Sequence, residues 1–257
     1  MFGADPRPHA KPASDTAARD RWPPPGSVPF GCVGSVVPPG FAAYRSVLHP
    51  AIRIEGDRRT AVTWAEVADW ADTTIDAPVE WRTFADAVDA PFHEGPFEGS
   101  PPLEVAEPLV EVLLDSTATP DRWWIGVWDG FGSITGTIRR TRRRAPLARW
   151  RARRPDRWER EHDSYVRWAA HAPVVDGWWR GRSFLLFEGG PEAVLAFASR
   201  HEGPSLWWPD DAAWCVATDI DLPWTYVGAD EATIGAIEQR TWLELRTVHP
   251  DDPITQG

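Results

Sequence analysis

The residues best placed for phosphate chemistry are Gly130-Phe-Gly132-Ser-Ile-Thr-Gly136, which follow an apolar stretch. A dinucleotide loop uses GxGxxG opening a helix, because the helix N-terminus holds the pyrophosphate. Here the spacing is GxGxxxG, and the glycines run into Ile-Thr-Gly-Thr-Ile, a strand-forming sequence. The turn of a β-hairpin is the favoured reading. Lys11 is the only lysine among the 27 Lys and Arg residues, so no Walker-type lysine follows the glycines. Schiff-base and pyridoxal chemistry lack their nucleophile as well. No cofactor is expected.

Metal and nucleophile signatures are equally thin. The histidines are His9, His49, His93, His162, His171, His201 and His249, with no HExxH and no HxH among them. His162 and His171 fall on opposite faces of a single helix. The two cysteines, Cys32 and Cys215, allow one disulfide but no thiolate metal site. Cys215 lies in Trp214-Cys-Val-Ala217 and reads as a small buried hydrophobe in a reducing, cytoplasmic protein. No metal ligand and no catalytic residue is assigned. Asp210-Asp211 and Asp219-Ile-Asp221 bring carboxylates together at strand ends, so a carboxylate-dependent hydrolase stands as an alternative. Turn formation explains the first pair more simply.

Binding chemistry is better represented. Residues 139–160 hold eleven arginines against Asp156 and Glu159, a local net charge of +9. Taking that from the chain total of -11 leaves -20 over the other 235 residues. Arg139, Arg140, Arg142, Arg143 and Arg144 are candidate contacts for a polyanion, and a nucleic-acid-associated protein is a second alternative. The strongly acidic remainder repels phosphate, which favours a solvated loop insertion over 139–156 instead.

Seventeen tryptophans stand beside only three tyrosines and one methionine. Most sit inside apolar patterns, as Trp64, Trp123, Trp124, Trp128, Trp168 and Trp214 do, and core filling is their default. Two pairs are candidates for exposed contact surfaces. Trp178 and Trp179 lie between Gly177 and Gly181; Trp207 and Trp208 precede the turn at Pro209, Asp210 and Asp211.

The elements that must position these residues form an α+β pattern: a mixed or antiparallel sheet with helices packed on it. Residues 1–29 contain seven prolines and no apolar periodicity, and are expected to be a disordered arm. A single α+β domain is expected over 30–250, with sub-lobes at 30–118 (mainly helical) and 119–250 (mixed), then a flexible tail at 251–257. Apolar spacing predicts a helix across Phe41–Leu48. Thr63-Trp-Ala-Glu66 has the form of a capping box opening another. Short helical spacing recurs at 82–88, and 89–102 reads as a loop. Leu103–Leu114 predicts a buried helix with Pro108 in its first turn.

Further on, residues 122–128 and 133–138 predict a hairpin, and 157–170 predicts a helix. Strands are expected at 183–187, 224–227 and 242–248. A strand-turn-strand is expected over 206–217. Helices are predicted at 191–199 and behind Asp230. No apolar run reaches the roughly 18–20 residues of a membrane span, and no secretory signal is visible. No internal repeat has a constant period.

Phe184-Leu-Leu-Phe187, Leu206-Trp-Trp-Pro209, Ala213-Trp-Cys-Val-Ala217, Trp224-Thr-Tyr-Val-Gly228 and the front segment Val37–Leu48 resemble a family of high-GC bacterial proteins. That resemblance brings no activity and no site residues. The Pro-led first helix and Trp128-Asp-Gly-Phe-Gly132 give a likeness to the SUKH superfamily. It implies an α+β partner-binding module, often a toxin-neutralising immunity protein. The expectation is therefore a cytoplasmic, non-enzymatic protein with an acidic surface whose partner is another protein.

Overall fold

The computed structural model describes residues 3–24, 26–72, 81, 92–134, 157–178 and 181–254, with the backbone alone at 157–159. The run Arg139–Arg144, the helix expected at 82–88 and Trp179 lie outside the described residues.

Several stretches are apolar at consecutive positions rather than at every second one. They are β5 (Trp123–Trp128), β7 (Ser183–Gly189), β8 (Leu206–Pro209), β9 (Cys215–Ala217) and β10 (Trp224–Ala229). Side chains alternate across a strand, so such a run is stable only where both faces of the sheet are covered. These strands join β1 (Ala10–Pro12), β2 (Ala43–Leu48), β6 (Val174–Asp176) and β11 (Leu245–Thr247) in one nine-stranded sheet. Its order is β1-β7-β5-β8-β9-β10-β2-β11, and all these pairings are antiparallel. Strand β6 shares the outer edge of β7 with β1. A separate hairpin pairs β3 (Ala51–Glu55) with β4 (Arg58–Val62).

One face carries Val47, Trp123, Ile125, Val127, Phe187, Trp207, Val216 and Val227. It is covered by α2 (Leu103–Asp115), α3 (Arg157–Ala169), α4 (Pro191–Ala198) and α5 (Glu231–Glu238). The opposite face carries Tyr44, Leu48, Trp124, Phe184, Leu186, Trp208, Cys215 and Tyr226. Its cover is short and irregular: Ala13 and Trp22 of the arm, Ala18 in the 3₁₀ turn Ala17–Arg21, the 3₁₀ turn Val33–Ser35, and α1 (Trp64–Trp70). The fold is α+β, with helices packed on an antiparallel sheet.

Local sequence accounts for the helix ends. Thr63 and Glu66 close a full capping box at α1, and Asp230 accepts the Thr233 N–H at α5. Pro191 occupies the first turn of α4, where its missing N–H costs nothing. Pro108 departs from expectation. The helix begins at Leu103, which places Pro108 in its second turn, buried against the core.

Three expectations are corrected. Residues 43–48 form a strand, not a helix. Tyr44, Val47 and Leu48 satisfy helical spacing, yet they also supply both faces of β2, which is paired on both edges. The hairpin of 122–128 with 133–138 is not found among the described residues, which leave out 135–138. Both edges of β5 are taken, by β7 and β8, and residues 132–134 are helical.

The proline-rich arm is not a free tail. Ala10–Pro12 pairs with β7, and Arg19 is buried with its guanidinium donating to the carbonyl oxygens of Asp176, Trp22 and Pro23. Pro12 ends an edge strand, where a missing N–H is tolerated. The arm's Trp22 ring lies about 6 Å from those of Trp178 and Trp208.

Two stability measurements test this layering. Trp208→Ala empties a fully buried site and should cost about 3–5 kcal/mol in a denaturant titration. Deleting residues 1–24 uncovers Trp178 and Trp208, and should lower the unfolding midpoint and speed proteolysis. An unchanged midpoint would show that the arm covers nothing.

Candidate functional site

The residues singled out by sequence are mostly structural. Trp207 and Trp208 are both buried with no exposed surface, so they form no exposed platform; Trp178 is buried too, and its neighbour Trp179 lies outside the described residues. Adjacent strand residues point to opposite faces, so Trp207 joins Trp123 and Trp214 under the helices while Trp208 meets Trp22. Asp210 accepts the Trp124 indole N–H at 3.0 Å and faces Arg122. Asp211 accepts from Thr117 Oγ1 and the Ala118 and Ala213 N–H groups, tying the loop after α2 to the β8–β9 turn. Gly130 is required because the Trp128 indole folds into the space its side chain would fill.

The carboxylates and cysteines singled out by sequence are placed as follows. Asp219 and Asp221 do converge, but around the Arg182 guanidinium, at 3.0 and 2.8 Å. The same guanidinium sits over the Trp128 ring. Cys32 and Cys215 are unbridged, and burial pushes the Cys215 thiol well above its ordinary pKa, away from nucleophilic use. Among the described residues no group of three His, Cys, Asp or Glu is placed to hold a metal ion.

His49 is fully buried where β2 ends. Its Nδ1 lies 2.5 Å from the Phe97 carbonyl oxygen, so Nδ1 carries the proton. Nε2 then accepts from Thr225 Oγ1 at 2.8 Å, and Thr225 accepts from Thr218 Oγ1 at 2.7 Å. Burial lowers the His49 pKa to about 4, so the chain is satisfied only by the neutral ring.

An exposed site is built elsewhere, along α2. Val105, Leu109, Val110 and Leu113 bury one side of this helix. Glu104, Glu107 and Glu111, spaced at i, i+3 and i+7, share the opposite, solvent-facing side. Facing them is the segment between α5 and β11, where the Trp242 ring is 59% exposed. Between the two walls runs a groove of about 380 Å³ with an apolar floor that includes Leu48, Pro50 and Leu243.

The acidic side chains of this groove differ in their duties. Glu244 accepts the Trp64 and Ala65 N–H groups at 2.6 and 2.9 Å, holding the start of α1. Burial raises its pKa while these bonds oppose the rise. Glu111 pairs with Arg240 at 3.3 Å, and the Arg240 guanidinium lies 5.8 Å from the Trp242 ring centroid. Glu104 and Glu107 form no ion pair among the described residues. Sequence reasoning missed this site, although its signal was present: three glutamates at helical spacing on a helix read only for its apolar face.

No family model, no curated protein and no solved structure matches this chain. Among the described residues no helix is long and apolar enough to cross a membrane.

The buried histidine sets a pH dependence. His49 is neutral in the fold, while the unfolded chain takes up a proton near pH 6.5. Its contribution is therefore complete above that value and lost as the pH falls towards about 4, a loss of about 3 kcal/mol. Denaturation curves between pH 7 and 4 should show this slope, and His49→Gln should flatten it.

Proposed function

We propose that this protein is a non-enzymatic module that binds another protein through the groove between α2 and Trp242. The observation that carries the reading is the Trp242 ring, 59% exposed where Trp123, Trp124, Trp207, Trp208 and Trp224 of the sheet are buried. Exposed tryptophan beside a concave apolar floor is the composition of an interface anchor. The glutamates on the facing helix add charge selectivity and disfavour nucleic acid at this site. A toxin-neutralising, immunity-like role in the cytoplasm is the form of partner binding that the SUKH likeness implies.

The hydrolase alternative has less support. Its best carboxylates, Asp219 and Asp221, are engaged by Arg182. The nucleic-acid alternative rests on Arg139–Arg144, outside the described residues.

Affinity capture from the native host tests the proposal. The intact chain should retain one stoichiometric partner, and Trp242→Ala should weaken its retention about 30-fold, the loss of an interface hot spot. Trp242→Ala should leave folding stability within about 0.5 kcal/mol, because the ring is exposed. Equal retention by both chains would place the binding surface elsewhere. Turnover of a small-molecule panel with no partner recovered would overturn the proposal.

A further inference from the structure

We infer that the groove receives an arginine-bearing segment of the partner, its guanidinium held between the Trp242 ring and the carboxylates of Glu107 and Glu111. This rests on the partner-binding reading above and names the chemistry of what binds. The molecule already contains the arrangement in part. Arg240 lies over the same indole and pairs with Glu111, so ring and carboxylate are placed to engage one guanidinium together.

Glu107 makes the site more than that internal pair needs. It is exposed, sits between Glu104 and Glu111 on the helix, and forms no ion pair among the described residues. Glu104 lies in the first turn, where the helix dipole accounts for its charge; Glu107 has no such account. The site therefore offers the unpaired Glu107 carboxylate above an apolar floor, and an incoming guanidinium takes the place of Arg240 on the ring and on Glu111. A planar, weakly hydrated guanidinium on an apolar stem matches all three parts, and a compact lysine ammonium matches only the charge.

A defined probe tests the assignment without the partner in hand. A fluorescein-labelled peptide carrying two arginines in a Gly-Ser background should bind the full chain, read by anisotropy. The same peptide with citrulline, which keeps the shape and removes the charge, should not bind. The lysine version should bind more weakly.

Trp242→Ala, which alters no charge, should weaken binding about tenfold. Glu107→Gln should weaken it too, whereas Glu192→Gln on α4, an equal loss of charge, should not. Arg240→Ala frees the ring and Glu111, and should tighten binding more than Arg122→Ala does. The unfolding midpoint of Glu192→Gln should stay close to the parent's, and that of Glu107→Gln should be no lower.

Indifference to Trp242→Ala, or equal losses from Glu107→Gln and Glu192→Gln, would mean only general attraction to an acidic protein and would overturn the inference. A host partner lost on Trp242→Ala without any arginine-peptide binding would overturn the arginine assignment and leave the partner-binding reading intact. A concentration-dependent dimer that the peptide dissociates would replace the partner with a second copy of this chain.

Discussion

The structure depends on a sheet that is buried on both faces. Its strands cannot alternate apolar with polar residues, because neither side meets water. Tryptophan meets this demand at paired positions. Trp123 and Trp207 fill the helix side, while Trp124 and Trp208 fill the other. Each of these two Trp-Trp dipeptides thus supplies one residue to each layer. The arrangement has a cost in hydrogen bonding. Trp64, Trp124 and Trp214 donate their indole N–H to His49 O, Asp210 and Leu113 O. The N–H groups of Trp123, Trp207 and Trp208 have no acceptor among the described residues. Leaving a buried donor unmet costs about 1–3 kcal/mol. The large apolar area of each indole and the edge-to-face contacts around it, such as Trp123 on Trp214 at 4.8 Å, offset that cost.

Two apolar faces require two covers, and only one was legible. The helices of the first layer announce themselves through periodicity: Val105, Leu109 and Leu113 on α2, Val194 and Phe197 on α4, Ile234 and Ile237 on α5. The second layer is largely irregular. A segment such as residues 13–22 can bury Ala13, Ala18 and Arg19 without repeating at any period. The prolines on either side of it, Pro12 and Pro23 to Pro25, confine it to one short 3₁₀ turn, so the arm reads as disordered. Strand β2 hid for a related reason. When both faces are buried, apolar residues three and four apart occur in strands as readily as in helices. Pairing partners decide between the two, and partners lie far away in sequence.

The candidate site was obscured by the same tryptophan abundance. A residue type that fills the core so often gives no warning when a copy lies outside, as Trp242 and Trp70 do. Adjacency to turn residues selected Trp207 and Trp208, but turns also end buried strands. Trp242 differs in its neighbours, since Arg240, Thr241 and Glu244 surround it with polar residues, so the local sequence carried some of the distinction. What it lacked was the opposing wall, supplied by a helix more than a hundred positions earlier.

The charges on that wall separate folding from binding. Like charges three and four apart on a helix cost about 0.2–0.5 kcal/mol per pair. Glu104 recovers that through the helix dipole, Glu111 through Arg240, and Glu244 has structural work at the start of α1. Glu107 lies between two of these carboxylates and is repelled by both. Replacing it with a neutral residue would relieve the helix and break no ion pair among the described residues. A side chain that the fold would be slightly more stable without, placed on the wall of a groove opposite an exposed indole, is better explained by what enters the groove than by what holds the protein together.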